Sequence, residues 1–226
     1  MPLLKKRPVH FDVPVQDMVL RVVGSEELYE EARAAGMLFW EQLQSYSVRH
    51  PGFQGSKRPL QADDTAPPIV REMTEMAAIA GVGPMYTFPG AMAEFVGRRL
   101  SEQISEVIVS CEQSHYVVAR HRSRLSLNAS PPYDGLGILV RPDLGPHGVH
   151  MKLGPDKPGV QAEIVVVMAR SCMLADAAAA AAGAIMRKFD GMKAALGYVG
   201  KIPGVHGAVL IQGRNIGVTG GLELAA

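Results

Sequence analysis

An α+β domain, with helices packed on a mainly antiparallel sheet, is the fold class this sequence predicts. Three observations lead there. Short β-like runs group at the start, in the middle and at the end of the chain, stretches of helical periodicity fall between them, and no repeat of fixed period is apparent.

The elements follow in order. Alternation in Val9 to Val13 and Met18 to Val23 predicts two paired strands around a turn at Pro14 to Asp17. Ser25 is the expected N-cap of the first helix, with Glu26 and Glu27 well placed in its first turn. Leu28, Ala32, Ala35, Phe39, Leu43 and Tyr46 keep one helical face apolar as far as Arg49, and His50-Pro51-Gly52 ends it. Phe53 to Pro67 is polar and proline-bearing and reads as a surface connector. Thr65 to Leu100, around which the chain is organised, holds two helical patterns joined by Gly81-Val82-Gly83-Pro84. Ile69, Met73, Met76, Ala77 and Ala80 mark the first. Gly90, Ala91, Ala93 and Gly97 give the second a face small enough to lie close against a neighbouring backbone. Pro89 is awkward inside a helix, so the second helix either starts there or kinks there.

Beyond Glu106 the pattern turns to strands at Val107 to Val109, Tyr116 to Ala119, Leu125 to Leu127 and Ile138 to Val140. Ser130 to Gly137 and Pro142 to Lys157 read as turns. Ala162 to Met168 is a strong strand, and Ser171 is placed to cap the alanine-rich helix after it. A helix around Asp190 to Leu196 and strands at His206 to Ile211 and Asn215 to Thr219 close the chain.

With 226 residues, 47% of them hydrophobic, a substantial core can form, and residues 1–226 are expected to make one domain. A net charge of +1 gives no electrostatic case for nucleic acid or an acidic membrane surface. Cys111 and Cys172 are too few for a disulfide framework. The start, MPLLKKRPVHFDV, has no apolar stretch behind its basic residues, so no secretory signal is expected. The most apolar region, Ile164 to Ile185, is broken by Arg170 and Asp176 and reads as a buried strand and helix, not a membrane span. A cytoplasmic setting, a small-molecule ligand and a possible homo-oligomer are the resulting expectations.

The motif APPIVREM, followed by AGVGPM and GAMAEFVGR, resembles the uncharacterised ApbE-like protein family, part of the superfamily of flavin-transferring ApbE proteins. The matching positions are Ala66-Pro67, Ile69-Val70-Arg71, Met73, Ala80 to Met85, Gly90-Ala91 and Ala93 to Arg98. LADAAAAAAG (Leu174 to Gly183) and the pattern from Ile202-Pro203-Gly204-Val205 to Gly213 add to it. The resemblance implies the ApbE-like fold, with FAD and Mg²⁺ as the cofactors to consider. It places Gly83, Gly90, Ala91, Glu94 and Glu112 at cofactor-binding positions and Asp176 at a metal position.

Several of those positions depart from the family pattern. ApbE transferases carry an aspartate and, four residues later, a threonine that help hold magnesium; this chain keeps Asp176 but has Ala180 in the threonine position. A hard cation wants several oxygen ligands. The competing expectation for Asp176 is an early-helix carboxylate hydrogen-bonded to a neighbouring loop, since such a group inside a protein needs donors or a cation. Glu94 stands where ApbE enzymes generally have lysine, and Arg99 near an aspartate position, so both charges are reversed; a pair with Arg98 one turn away is the structural alternative. Cys111-Glu112-Gln113-Ser114 replaces an asparagine-glycine-glycine-aspartate turn and crowds the approach that glycines permit. Cys111 is the candidate catalytic residue if a cation lowers its pKa, and buried filler otherwise.

Other features carry less. His147 and His150 lie three apart among Gly and Pro residues, a poor metal site. Gly81-Val82-Gly83 either cradles phosphate or ends a helix. Arg120, Arg122 and Arg124 would share one strand face. No Ser-His-Asp set occurs at a recognisable spacing. Three functions follow in order: binding of a small molecule or flavin nucleotide with transferase chemistry lost or altered; magnesium-dependent flavin transfer; and a role in sulfur assimilation, to which the resembled family has been linked.

Overall fold

The computed structural model describes residues 8–127, 133, 135–154, 163–187 and 191–225. Its first hairpin pairs β1 (Val9–Val15) with β2 (Met18–Gly24) around the two-residue turn Gln16-Asp17. Gln16 adopts the left-handed φ of 56° that so short a turn asks of its first residue. Pro14 lies inside β1 rather than in the turn, because an edge strand tolerates a missing N–H.

Helix α1 (Tyr29–Arg49) starts later than Ser25 would have it: its N-cap is Leu28, with no side-chain cap, and Glu30 and Glu31 occupy the first turn. Gly36 lets α1 lie against β1, since a Cβ there would come 2.6 Å from Val15 Cγ2. The expected surface connector contains a short helix, α2 (Gly52–Gly55), whose Phe53 is buried edge-on to Tyr46. An apolar ring in a polar segment still seeks the core.

α3 (Pro68–Ile79) ends as a helix terminus should. Gly81, at φ 68°, sends its N–H to Ala78 O, and Val82 sends its own to Ala77 O. That geometry assigns Gly81-Val82-Gly83 to the end of the helix. A 3₁₀ turn, Pro84–Thr87, leads into α4 (Phe88–Ser101), with Pro89 in the first turn, so the helix begins there and does not kink.

The strands β3 (Val107–Cys111), β4 (Ser114–Val118), β5 (Ser123–Ser126) and β6 (Gly137–Val140) follow. The largest departure from expectation comes next. Inside the stretch read as turns runs β7 (His147–Gly154), eight residues long and hydrogen-bonded on both sides. β8 (Glu163–Ala169), α5 (Cys172–Met186), α6 (Gly191–Val199), β9 (Val205–Gln212), β10 (Asn215–Gly220) and β11 (Leu224–Ala225) complete the fold.

Eight strands form one sheet in the order β1-β2-β3-β4-β7-β8-β9-β10, every neighbouring pair antiparallel, and β11-β6-β5 form a second. Helices cover one face of the large sheet, where Leu20, Val22 and Val109 meet Met73, Met92 and Val96, and Val165 and Val167 meet the alanines of α5. On the other face Val149, Val166 and Val209 pack with Ile138 and Val140 of the small sheet. Among the described residues, no helix is long and apolar enough to cross a membrane.

Candidate functional site

The chemistry-bearing groups gather where α4 and α5 start side by side. A helix leaves its first N–H groups without intrahelical partners. Gly90 lies in the first turn of α4, and its N–H donates to Asp176 Oδ2 at 2.7 Å. Cys172 opens α5, and its N–H donates to Glu94 Oε2 at 2.8 Å; Ser171, the α5 N-cap, donates its hydroxyl to the same oxygen, also at 2.8 Å. Each helix therefore lends the other an acidic cap from its own second turn, Glu94 four residues after Gly90 and Asp176 four after Cys172. A carboxylate is favoured at a helix N-terminus, which carries partial positive charge. The close fit depends on Gly90, because a Cβ there would fall 2.6 Å from Asp176 Oδ2 and 2.7 Å from Cys172 O.

Asp176 has two further donors. Ser114 Oγ donates to Oδ1 at 2.6 Å, and His150 Nδ1 lies 2.8 Å from the same oxygen. With a carboxylate as acceptor, Nδ1 carries the hydrogen. The Asp176 side chain is 1% exposed and that of His150 14%. Ser114 and His150 face one another across β4 and β7. Ser114, His150 and Asp176 thus come together without forming a nucleophilic relay, since the serine hydroxyl is spent on the carboxylate and not on the imidazole.

This arrangement does not fit a bound Mg²⁺. Both oxygens of Asp176 already accept hydrogen bonds from donors that a cation would repel. Ala180 offers a methyl where an oxygen ligand would be needed, and among the described residues no three His, Cys, Asp or Glu side chains gather as a metal site.

The remaining candidates disperse. Glu94 is buried, and its other oxygen accepts from Arg98 Nη2 at 2.5 Å; Arg98 also reaches Glu72 at 2.9 Å. The expected Glu94–Arg98 pair is present, and Glu94 joins two helices instead of facing an opening. Ala91 is fully buried in the core. Gly83 faces the loop at Ser56, where a Cβ would come 1.9 Å from Ser56 O. Glu112, at φ 50°, is the first residue of the β3–β4 turn and lines a small cleft with Arg21 and Ser110, on the sheet face away from Asp176.

Cys111 is fully buried in the core, and burial, with Glu112 and Asp176 nearby, pushes its thiol up to about 12. A buried thiol held protonated is a poor nucleophile. His147 is buried, with Nδ1 2.8 Å from Gly145 O, and points to the sheet face opposite His150, because residues three apart on a strand face opposite ways. Of the three arginines, only Arg124 lies on a strand; Arg120 and Arg122 fall in the link from β4 to β5.

Sequence reasoning named His150 only as half of a poor metal pair and Ser114 only as the end of the replaced turn, and connected neither with Asp176. The alternation Val149, Met151, Leu153 would have placed His150 on the helix side of a strand, and the matched spacing of Gly90 to Glu94 and Cys172 to Asp176 was the other available signal.

The comparisons with known proteins agree with this architecture. The sequence model of the family described as AbpE bacteria matches residues 2–192. A UPF0280 protein of Methanosarcina acetivorans is 22% identical over 222 residues, covering 95% of this chain and 88% of the relative. One from Methanopyrus kandleri is 28% identical over 214 residues, covering 90% and 86%. Among solved structures, a mutant of the flavin transferase ApbE from Vibrio cholerae superposes with a TM-score of 0.61 at 11% identity, over 94% of this chain and 97% of that one. The apo flavinyl transferase ApbE of Pseudomonas stutzeri gives 0.59 at 12% identity, over 97% and 96%. At such identities the likeness is one of fold.

Proposed function

The chain belongs to the AbpE bacteria family, an uncharacterised ApbE-like family, and from that membership we propose that it binds a small molecule or flavin nucleotide, with transferase chemistry lost or altered. The observation that carries this reading is the engagement of both Asp176 oxygens by Gly90 N–H, Ser114 Oγ and His150 Nδ1. Donors occupy Oδ1 twice and Oδ2 once, so a cation would have to displace or crowd them, and the turn at Glu112-Gln113 has none of the glycines that would let a ligand approach the backbone. The alternative reading, magnesium-dependent transfer of FMN from FAD to a protein, draws on the retained Asp176 and on the fold shared with two flavin transferases.

Incubation with FAD, Mg²⁺ and an acceptor protein separates the two. The expected result is binding of flavin without release of AMP or labelling of the acceptor. Turnover that disappears in Asp176→Ala would reverse the choice.

A further inference from the structure

Two imidazoles away from the capped carboxylates each carry a buried nitrogen that nothing satisfies. His147, the first residue of β7, is fully buried, and His206, the second of β9, is half-buried. Nε2 of each ring is shut off from solvent and has no hydrogen-bond partner among the described residues. Buried polar atoms are as a rule satisfied, so each of these asks for a further partner. At His147 the tautomer is settled. Nδ1 lies 2.8 Å from Gly145 O and must donate to it, which leaves Nε2 with a bare lone pair. An imidazole held through its other nitrogen by a backbone carbonyl is the usual form of a metal ligand.

The strand register brings both rings to one face. Val149, two residues on from His147, packs under the small sheet, while Val205 packs with the helices, so His206 turns to the face that His147 shares. The pairing of β8 with β9 is interrupted by a bulge between Met168 and Ala169, in which His206 is the extra residue. Bulges commonly re-aim a side chain beside a site. With β8 between them, the backbones of β7 and β9 lie about 10 Å apart, a span that two imidazoles close from either side. Met168 stands in the middle. It is fully buried on the same face, opposite Val149 of β7 and Gly207 of β9. Burial lowers both histidines, and His206 lowers His147 further, so both are neutral at pH 7, as ligation requires. Arg170, which follows β8, is exposed and lies along Gly204.

We propose that His147, His206 and Met168 hold a copper(I) ion between the two sheets. Two neutral imidazoles and a thioether make a soft, uncharged ligand set, and no carboxylate is among the groups acting on either ring. Hard cations such as Mg²⁺ want oxygen, and a divalent ion would bring two charges into an apolar layer with nothing to offset them. Copper(I) is soft, carries a single charge and accepts two or three nitrogen and sulfur ligands. Val140, Val149 and Leu222 of the same core layer keep water away. The site lies across the large sheet from Asp176 and does not rest on the function proposed above.

Anaerobic titration of the full chain with copper(I), against a chromophoric chelator that competes for it, tests the site. The expected result is one tightly held copper(I) per chain. His147→Gln and His206→Gln should each weaken binding about a hundredfold and Met168→Leu about tenfold, while the exposed His10→Gln should change nothing. X-ray absorption by the copper-loaded wild type should show two nitrogen neighbours and one sulfur, the sulfur being lost in Met168→Leu. That substitution conserves volume, so the fold is expected to survive it, as a melting temperature would verify. Should a histidine variant fail to fold, the wild-type spectrum still decides. Absence of stoichiometric copper(I), affinity indifferent to both histidine variants, a copper spectrum without sulfur, or Zn²⁺ held more tightly than copper(I) would each overturn the proposal.

Discussion

Replacing Glu94 by alanine is expected to remove about 3–5 kcal/mol of stability, the range for breaking a buried, paired charge. The contributions can be followed atom by atom. Cys172 N–H and Ser171 Oγ lose their shared acceptor between two packed helices, at about 1–3 kcal/mol for each stranded group. Arg98 loses one partner but keeps Glu72 and is 42% exposed at its side chain, so its share is small. Glu94→Gln keeps one oxygen for Cys172 N–H and gives up the charge, so about half the loss should remain. Arg98→Ala should be milder still, because Glu94 retains its bonds to α5.

Urea unfolding followed by circular dichroism would measure this. With a slope of about 2 kcal/mol per M, the alanine variant should unfold about 2 M earlier. A loss below about 1 kcal/mol for Glu94→Ala, or a larger loss for Arg98→Ala than for Glu94→Ala, would refute the reasoning that Glu94 acts chiefly as the cap of α5.

Gly148→Ala should yield little soluble folded protein, since its Cβ would fall 2.2 Å from the Cys172 backbone, whereas Gly52→Ala, with open space around it, should change stability by less than about 0.5 kcal/mol; expression and thermal melts of the two distinguish close packing from glycine loss in general. Neither Cys111 nor Cys172 should react with a disulfide reagent at pH 8 in the native protein, and both should react once urea unfolds it, because burial raises both thiols. Burial, with His150 nearby, holds His115 well below its ordinary value of 6.5, at about 4, so it folds in the neutral form. The unfolded chain binds that proton first. The His115 contribution is therefore complete above pH 6.5 and is lost as pH falls towards 4, by at most about 3 kcal/mol. Urea midpoints at pH 7 and 4.5 should diverge in the wild type and converge in His115→Gln.

Much of the fold could be read from residue order. Strand alternation and helical periodicity located β1, β2, α1, α3, α4, β8, α5 and β9 to within a few residues, because each buries one face and the burial repeats at the period of its backbone. Ser171 at the start of α5 was likewise visible, as a cap acts within one turn. β7 was hidden because Gly145, Pro146 and Gly148 read as punctuation, while in the sheet Gly148 is needed to let Cys172 approach. Ser25 had the chemistry of a cap but lay too early: the helix starts at Tyr29, after Leu28, with no side-chain cap.

The site divides the same way. Family membership, the central glycine turn and the presence of an acidic residue early in α5 are properties of the sequence, since motif and periodicity act over neighbouring residues. That Asp176 accepts from Gly90, Ser114 and His150, that Glu94 closes the start of α5, and that Lys57 and Arg187 line one cleft were decided by tertiary structure alone. These partners come from different elements, and Ser114 lies 62 positions from Asp176, so only the pairing of β4 with β7 and the packing of α4 on α5 bring them within hydrogen-bonding distance.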